Sequence, residues 1–67
     1  KIILNGEEYV FSSAKNPTIL DLTEQLKIDV KKLAIEKNLE IIPKENFAIT
    51  QLQEGDEIEM IHFIGGG

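Results

Sequence analysis

Few side chains in this 67-residue chain could do chemistry. The hydroxyls of Ser12, Ser13, Thr18, Thr23 and Thr50 are candidate nucleophiles, and His62 is the single imidazole that could serve them as a base. Nucleophilic catalysis needs a base beside the nucleophile and donors for an oxyanion. Nothing in the spacing carries a serine to His62, and a lone histidine on a strand is usually a packing or surface residue. Carboxylates cluster at Glu7-Glu8 and at Asp56, Glu57 and Glu59. They fall in turns or on solvated strand faces, where no burial is expected to tune them for acid–base work. Cysteine is absent, which removes thiolate chemistry, disulfides and iron–sulfur ligation, and one histidine is a poor start for a zinc site. The expectation is a protein with no catalytic side chain and no metal.

What remains is "GGG" at Gly65, Gly66 and Gly67. It opens no helix and is followed by no lysine, so it is not a phosphate-cradling loop. Glycine loses more conformational freedom on ordering than any other residue, so such a run neither extends a strand nor packs a core. It could be an expression remnant or a piece of linker. The chemical alternative is that the terminal carboxylate reacts once a partner has activated it with ATP as an acyl-adenylate. Residues without Cβ can thread a narrow channel in extended form, and a tail without native structure can enter successive enzymes. On that reading Gly67 supplies the reacting carboxylate, Gly66 the slim backbone beside it and Gly65 the hinge.

The elements that must hold such a tail can be read from pattern. "KIILNGEEYVF" places two β-rich runs around Asn5-Gly6, the dipeptide best suited to the two positive φ angles of a type I′ hairpin. Ile2 and Leu4 then share one face, with Ile3 on the other, and Tyr9 and Phe11 belong to the returning strand. "TILDLTEQLK" puts Ile19, Leu22 and Leu26 at helical spacing. Thr18 caps it with Asp21 three residues on, predicting a helix of roughly three turns that ends near Lys27. "LAIEK" and "EII" predict two short strands with a turn near Asn38, and Pro43 suits either a sheet edge or the end of the second strand. "PKENFAITQL" reads as irregular with one helical turn, Gly55 turns the chain, and "EIEMIHFI" is the last strand. The order β-β-α-β-β-β gives an α+β domain with one helix packed on one face of a mixed sheet of four to five strands. An N-terminal hairpin, a crossing helix and a long last strand make this a β-grasp, the ubiquitin-like architecture. Residues 1–64 form the expected single domain and residues 65–67 a flexible glycine tail.

Twelve acidic residues against seven basic give a formal charge of −5, which disfavours nucleic acid and anionic membrane and favours partners with a basic docking surface. There is no long apolar run and no signal-peptide pattern, so a cytoplasmic monomer is expected. The first residue is Lys1, and an initiator residue is expected to have been removed or left out of the numbering. In the last strand, alternation puts Ile58, Met60 and His62 on one face and Glu59, Ile61 and Phe63 on the other. Ile58 and Met60 are the natural core residues. Ile61 and Phe63, joined by Ile3 and by Ile64 at the root of the tail, are then a candidate docking surface on the open face.

Taken as a whole, the chain resembles the ThiS family of sulfur carriers in thiamine biosynthesis. The resemblance lies in "KIILNGEEYVF", "LAIEKN" followed by "IIPKENF", "EGDEIE" and above all "HFIGGG". Two positions depart from it: Leu39 stands where a glycine is common, and the glycine expected after the helix is absent at Lys27-Ile28. The resemblance implies that a ThiF-like adenylyltransferase adenylates the Gly67 carboxylate with ATP and magnesium. Sulfur originating from a cysteine desulfurase then leaves a thiocarboxylate on Gly67. A ThiG-like thiazole synthase takes that sulfur into the thiazole precursor of thiamine. The carrier is a co-substrate and binds no cofactor of its own. Rival readings are a MoaD-like carrier for molybdopterin, a TGS-type ligand- or RNA-binding β-grasp module with a turn like "EGDEIEMI", and a ubiquitin-type protein modifier.

Overall fold

The computed structural model describes residues 1–11 and 16–62. Strands β1 (Ile2–Leu4) and β2 (Glu7–Tyr9) precede helix α1 (Ile19–Leu26), followed by β3 (Leu33–Lys37), β4 (Glu40–Ile42) and β5 (Glu57–His62). The sheet order is β2-β1-β5-β3-β4, with β5 in the centre. β1 runs parallel to β5, and the other pairings are antiparallel. This is the expected mixed-sheet β-grasp.

Two tight turns set the registers. Asn5 and Gly6 take φ of 49° and 84°, and Asn38 and Leu39 take 51° and 72°. Both hairpins therefore use the positive-φ pair that suits the right-handed twist of their strands. The second does so with a leucine at its second position, where the Cβ penalty of the left-handed region is about 1–2 kcal/mol. Leu39 is 86% exposed, so little packing offsets that strain. Leu39→Gly is expected to raise stability by about 0.5–1 kcal/mol after the added entropy of the unfolded glycine is deducted. A urea midpoint that falls instead would show that the leucine packs in solution.

Helix α1 accounts for all four of its first N–H groups, which an isolated helix would leave without partners. Ile19 N donates to Thr50 O at 2.9 Å and Leu20 N to Phe47 O at 3.0 Å. Asp21 N donates to Thr18 Oγ1 at 3.2 Å, while Leu22 N to Thr18 O at 3.1 Å is already the first intrahelical bond. Thr18 N returns a bond to Asp21 Oδ2, completing the capping box read from the sequence. The helix is shorter than predicted, at eight residues rather than roughly three turns. Lys27 stops it by taking the left-handed conformation (φ 59°). Ile28 N then donates to Thr23 O and Lys27 N to Glu24 O, a Schellman closure built without glycine.

The core lies between α1 and one face of the sheet. Ile19 and Leu22 of the helix meet Ile2, Leu33, Ile35, Ile58 and Met60 of the strands. Phe47 and Leu52 from the segment after β4 close the side of the core, which is why carbonyls of the same segment accept from the first N–H groups of α1. β2 ends at Tyr9, two residues earlier than read from the sequence, and Phe11 packs against the core from outside the strand.

Candidate functional site

β5 leads to the candidate end of the chain, and its alternation is as expected. Ile58 and Met60 are buried, whereas Glu57, Glu59, Ile61 and His62 are exposed. On the open face, cross-strand pairing sets Ile61 opposite Ala34, Glu59 opposite Glu36, Glu57 opposite Ile3, and Glu36 opposite Ile41. Residues directly opposite one another point to the same side of a sheet. Ile3 and Ile61 therefore share the open face but are not neighbours, because Glu57 and Ile61 are four residues apart on β5, about 13 Å. Ile61 is 42% exposed and Ile41 is 70% exposed. Ile41 was not singled out by sequence, since its exposure depends on β4 being an outer strand. Phe63, Ile64, Gly65, Gly66 and Gly67 lie outside the described residues, as do Ser12 and Ser13.

The base of β5 holds a group that sequence reasoning misplaced. Asp56 was expected in a solvated turn, but it is buried, with 7% of its surface exposed. Its carboxylate accepts from Gln53 N at 2.8 Å and from Asn38 Nδ2 at 3.1 Å, and Lys37 Nζ lies 3.6 Å away. Burying a charge is tolerable only when it is paired and hydrogen-bonded, and Asp56 is both. The turn through Gly55 and the β3–β4 hairpin meet at this residue, which is why its burial is invisible to local alternation. Asn38 also accepts from Glu57 N through Oδ1 at 2.9 Å. On the other flank Asn5 Oδ1 accepts from Met60 N at 2.8 Å, and Asn5 N donates to Ile58 O at 2.9 Å. Each hairpin thus pins β5 through the asparagine of its own turn.

His62 is exposed and pairs in the sheet with Leu33. Among the described residues no group of histidine and carboxylates is arranged to hold a metal ion, and no helix is long and apolar enough to cross a membrane. The described arrangement offers a central strand and an open face that mixes apolar and acidic side chains.

Comparison with known proteins shows the family to which this fold and sequence belong. The ThiS family profile matches residues 2–67. The chain belongs to the ThiS family. It is 38% identical over 64 residues to the sulfur carrier protein ThiS of Bacillus subtilis, with 96% of each chain covered. The crystal structure of the thiamine biosynthesis protein ThiS from Geobacter metallireducens has a TM-score of 0.84 at 28% identity, covering 98% of this chain and 97% of that one. A thiazole synthase of Paramagnetospirillum magneticum is 43% identical over 67 residues, all of this chain. A thiazole synthase of Magnetococcus marinus is 37% identical over 67 residues. The chain spans only 20% of the length of each of those two synthases.

Proposed function

We propose that this ThiS-family chain is a sulfur carrier for the thiazole of thiamine, and that the carboxylate of Gly67 carries the sulfur. The observation that carries the reading is the match to the B. subtilis sulfur carrier over 96% of both chains. Gly67 would serve as a terminal residue with a free carboxylate. That carboxylate attacks the α-phosphate of ATP in the active site of a ThiF-like adenylyltransferase, using the partner's magnesium, and pyrophosphate leaves. A persulfide whose outer sulfur originates from a cysteine desulfurase then attacks the acyl carbon and expels AMP, and a thiol cleaves the resulting acyl disulfide, leaving the thiocarboxylate on Gly67 and a new disulfide on the donor side. A ThiG-like thiazole synthase accepts the sulfur. The similarity of this sequence to part of proteins named thiazole synthase supports that acceptor over a molybdopterin system.

The chain's own contribution is presentation. The two hairpin asparagines hold β5, β5 fixes where residue 63 begins, and Gly65 and Gly66 let the last residues lie extended beside the partner's backbone. The open face, with Ile61 at the tail end and Ile3 farther away, supplies docking area. Ile61→Ala is expected to weaken binding to the adenylating partner several-fold while changing stability by no more than about 1 kcal/mol. Comparable losses in both measurements would make Ile61 a packing residue.

The acceptor is tested by offering the thiocarboxylated chain to a thiazole synthase with its substrates, and separately to a molybdopterin-forming system. Sulfur is expected to enter the thiazole product. Transfer to the molybdopterin precursor alone would overturn the thiamine assignment.

A further inference from the structure

Although the whole chain is acidic, the described end of β5 is not. A recess of about 330 Å³ beside it is lined by Lys27, Ile28, Asp29, Lys32 and His62. Lys44 and Lys31 do not line the recess but adjoin it in the chain through Lys32, Lys44 Nζ donating to Lys31 O at 2.9 Å. Four of the seven lysines, Lys27, Lys31, Lys32 and Lys44, thus belong to one end of the molecule, with Asp29 as the carboxylate among them. The ion pairs among the described residues are Lys1 with Glu8 and Glu54, and Lys37 with Asp56. None of the four lysines takes part in one. Asp29 is itself engaged, its Oδ1 accepting from Lys31 N at 2.9 Å. Gathering like charges raises the energy of the compact state, and the acidic turns and open face place the compensating charge elsewhere.

We propose that these lysines form a basic collar around the exit of the tail, and that it docks on acidic side chains at the mouth of the channel in the adenylating partner. This rests on the sulfur-carrier reading. On the carrier reading, in which Gly67 is the terminal residue, the reach of the tail selects the occupant. Five residues, 63–67, extend at most about 17 Å beyond His62. When the tail is extended into a channel, the nucleotide reacting at Gly67 is that far from the collar, so the nucleotide's phosphates are out of reach. The groups that do face the collar belong to the protein surface around the channel entrance. Complementary charge there would orient the carrier as it approaches and set how deeply the tail enters. The net charge alone points to a basic partner surface, and the collar adds a local requirement of the opposite sign.

The test uses the full chain and a purified ThiF-like adenylyltransferase. Appearance of the AMP adduct on the unaltered chain first establishes the carrier reading, and its absence would defeat that reading rather than the collar. With the adduct established, the Lys32→Gln, Lys44→Gln double variant is expected to bind the enzyme about tenfold more weakly at low salt, with the difference fading at high salt. Unchanged affinity, or a loss that is the same at every salt concentration, would overturn the proposal. So would saturable binding of inorganic phosphate at the amide signals of Lys27 and Lys32, because it would assign the recess to a small anion. Unfolding midpoints of the double variant and the parent chain are expected to agree, separating docking from stability.

Discussion

Asp56→Ala is expected to destabilise the protein by about 2 kcal/mol, because it leaves two part-buried donors without their acceptor. The Gln53 N–H and the Asn38 amide both donate to this carboxylate, and the Lys37 ammonium sits beside it with only 22% of its side chain exposed. A chain of 67 residues has a total stability of roughly 3–10 kcal/mol, so such a loss is a large fraction of the total and lowers the unfolding midpoint clearly. Lys37→Met separates the contributions. It removes the more distant, 3.6 Å interaction but leaves both hydrogen bonds, and about 1 kcal/mol is expected. Urea unfolding of the two variants checks the ranking. An Asp56→Ala loss below that of Lys37→Met would mean that the hydrogen bonds contribute less than the ion pair. The functional consequence is indirect. Asp56 and Asn38 anchor the start of β5, and β5 carries the tail, so a loosened anchor blurs the point from which residue 63 departs.

Adding a residue after Gly67 is expected to abolish sulfur loading entirely while leaving the fold and its unfolding midpoint unchanged. On the carrier reading, the attacking oxygens are those of the carboxylate on Gly67. In the extended chain that carbonyl belongs to an amide, which cannot attack the α-phosphate as a carboxylate does, and the new carboxylate lies one residue too deep. Deleting Gly67 is expected to have the same result, since the carboxylate then stops about 3.4 Å short of where it must react. Mass spectra after incubation with ATP, the adenylating partner and a sulfur donor provide the readout. An extended chain that still gains sulfur would place the acceptor atom elsewhere in the protein.

The sequence carried the local features well. Asn5-Gly6 announced the first hairpin because that dipeptide takes two positive φ angles readily, and the structure has them. Thr18 and Asp21 announced the start of α1 because capping is a contact between near neighbours. The end of α1 was harder, since Lys27 stops it in a conformation that glycine would have advertised. Asp56 was misread for a different reason. Its burial depends on Asn38 and Lys37, eighteen and nineteen positions away, and alternation along one strand contains no information about them. Exposure of Leu39 and Ile41 was equally hidden, because it follows from the position of β4 at the sheet edge. For the candidate site, Ile3 and Ile61 were placed on the correct face, but their separation along the sheet appeared only with the registers. The expectations for Phe63, Ile64 and the glycines concern residues outside those described.

The central claim is that Gly67 carries sulfur as a thiocarboxylate. Its most direct measurement is the intact mass of the unaltered chain, taken before and after incubation with ATP, magnesium, a ThiF-like enzyme and a sulfur donor, followed by fragmentation. The account predicts an AMP adduct when sulfur is withheld. With sulfur present, it predicts a species in which one oxygen is replaced by sulfur, localised to Gly67. Sulfur on any other residue, or an adenylated chain that never exchanges oxygen for sulfur, would contradict it.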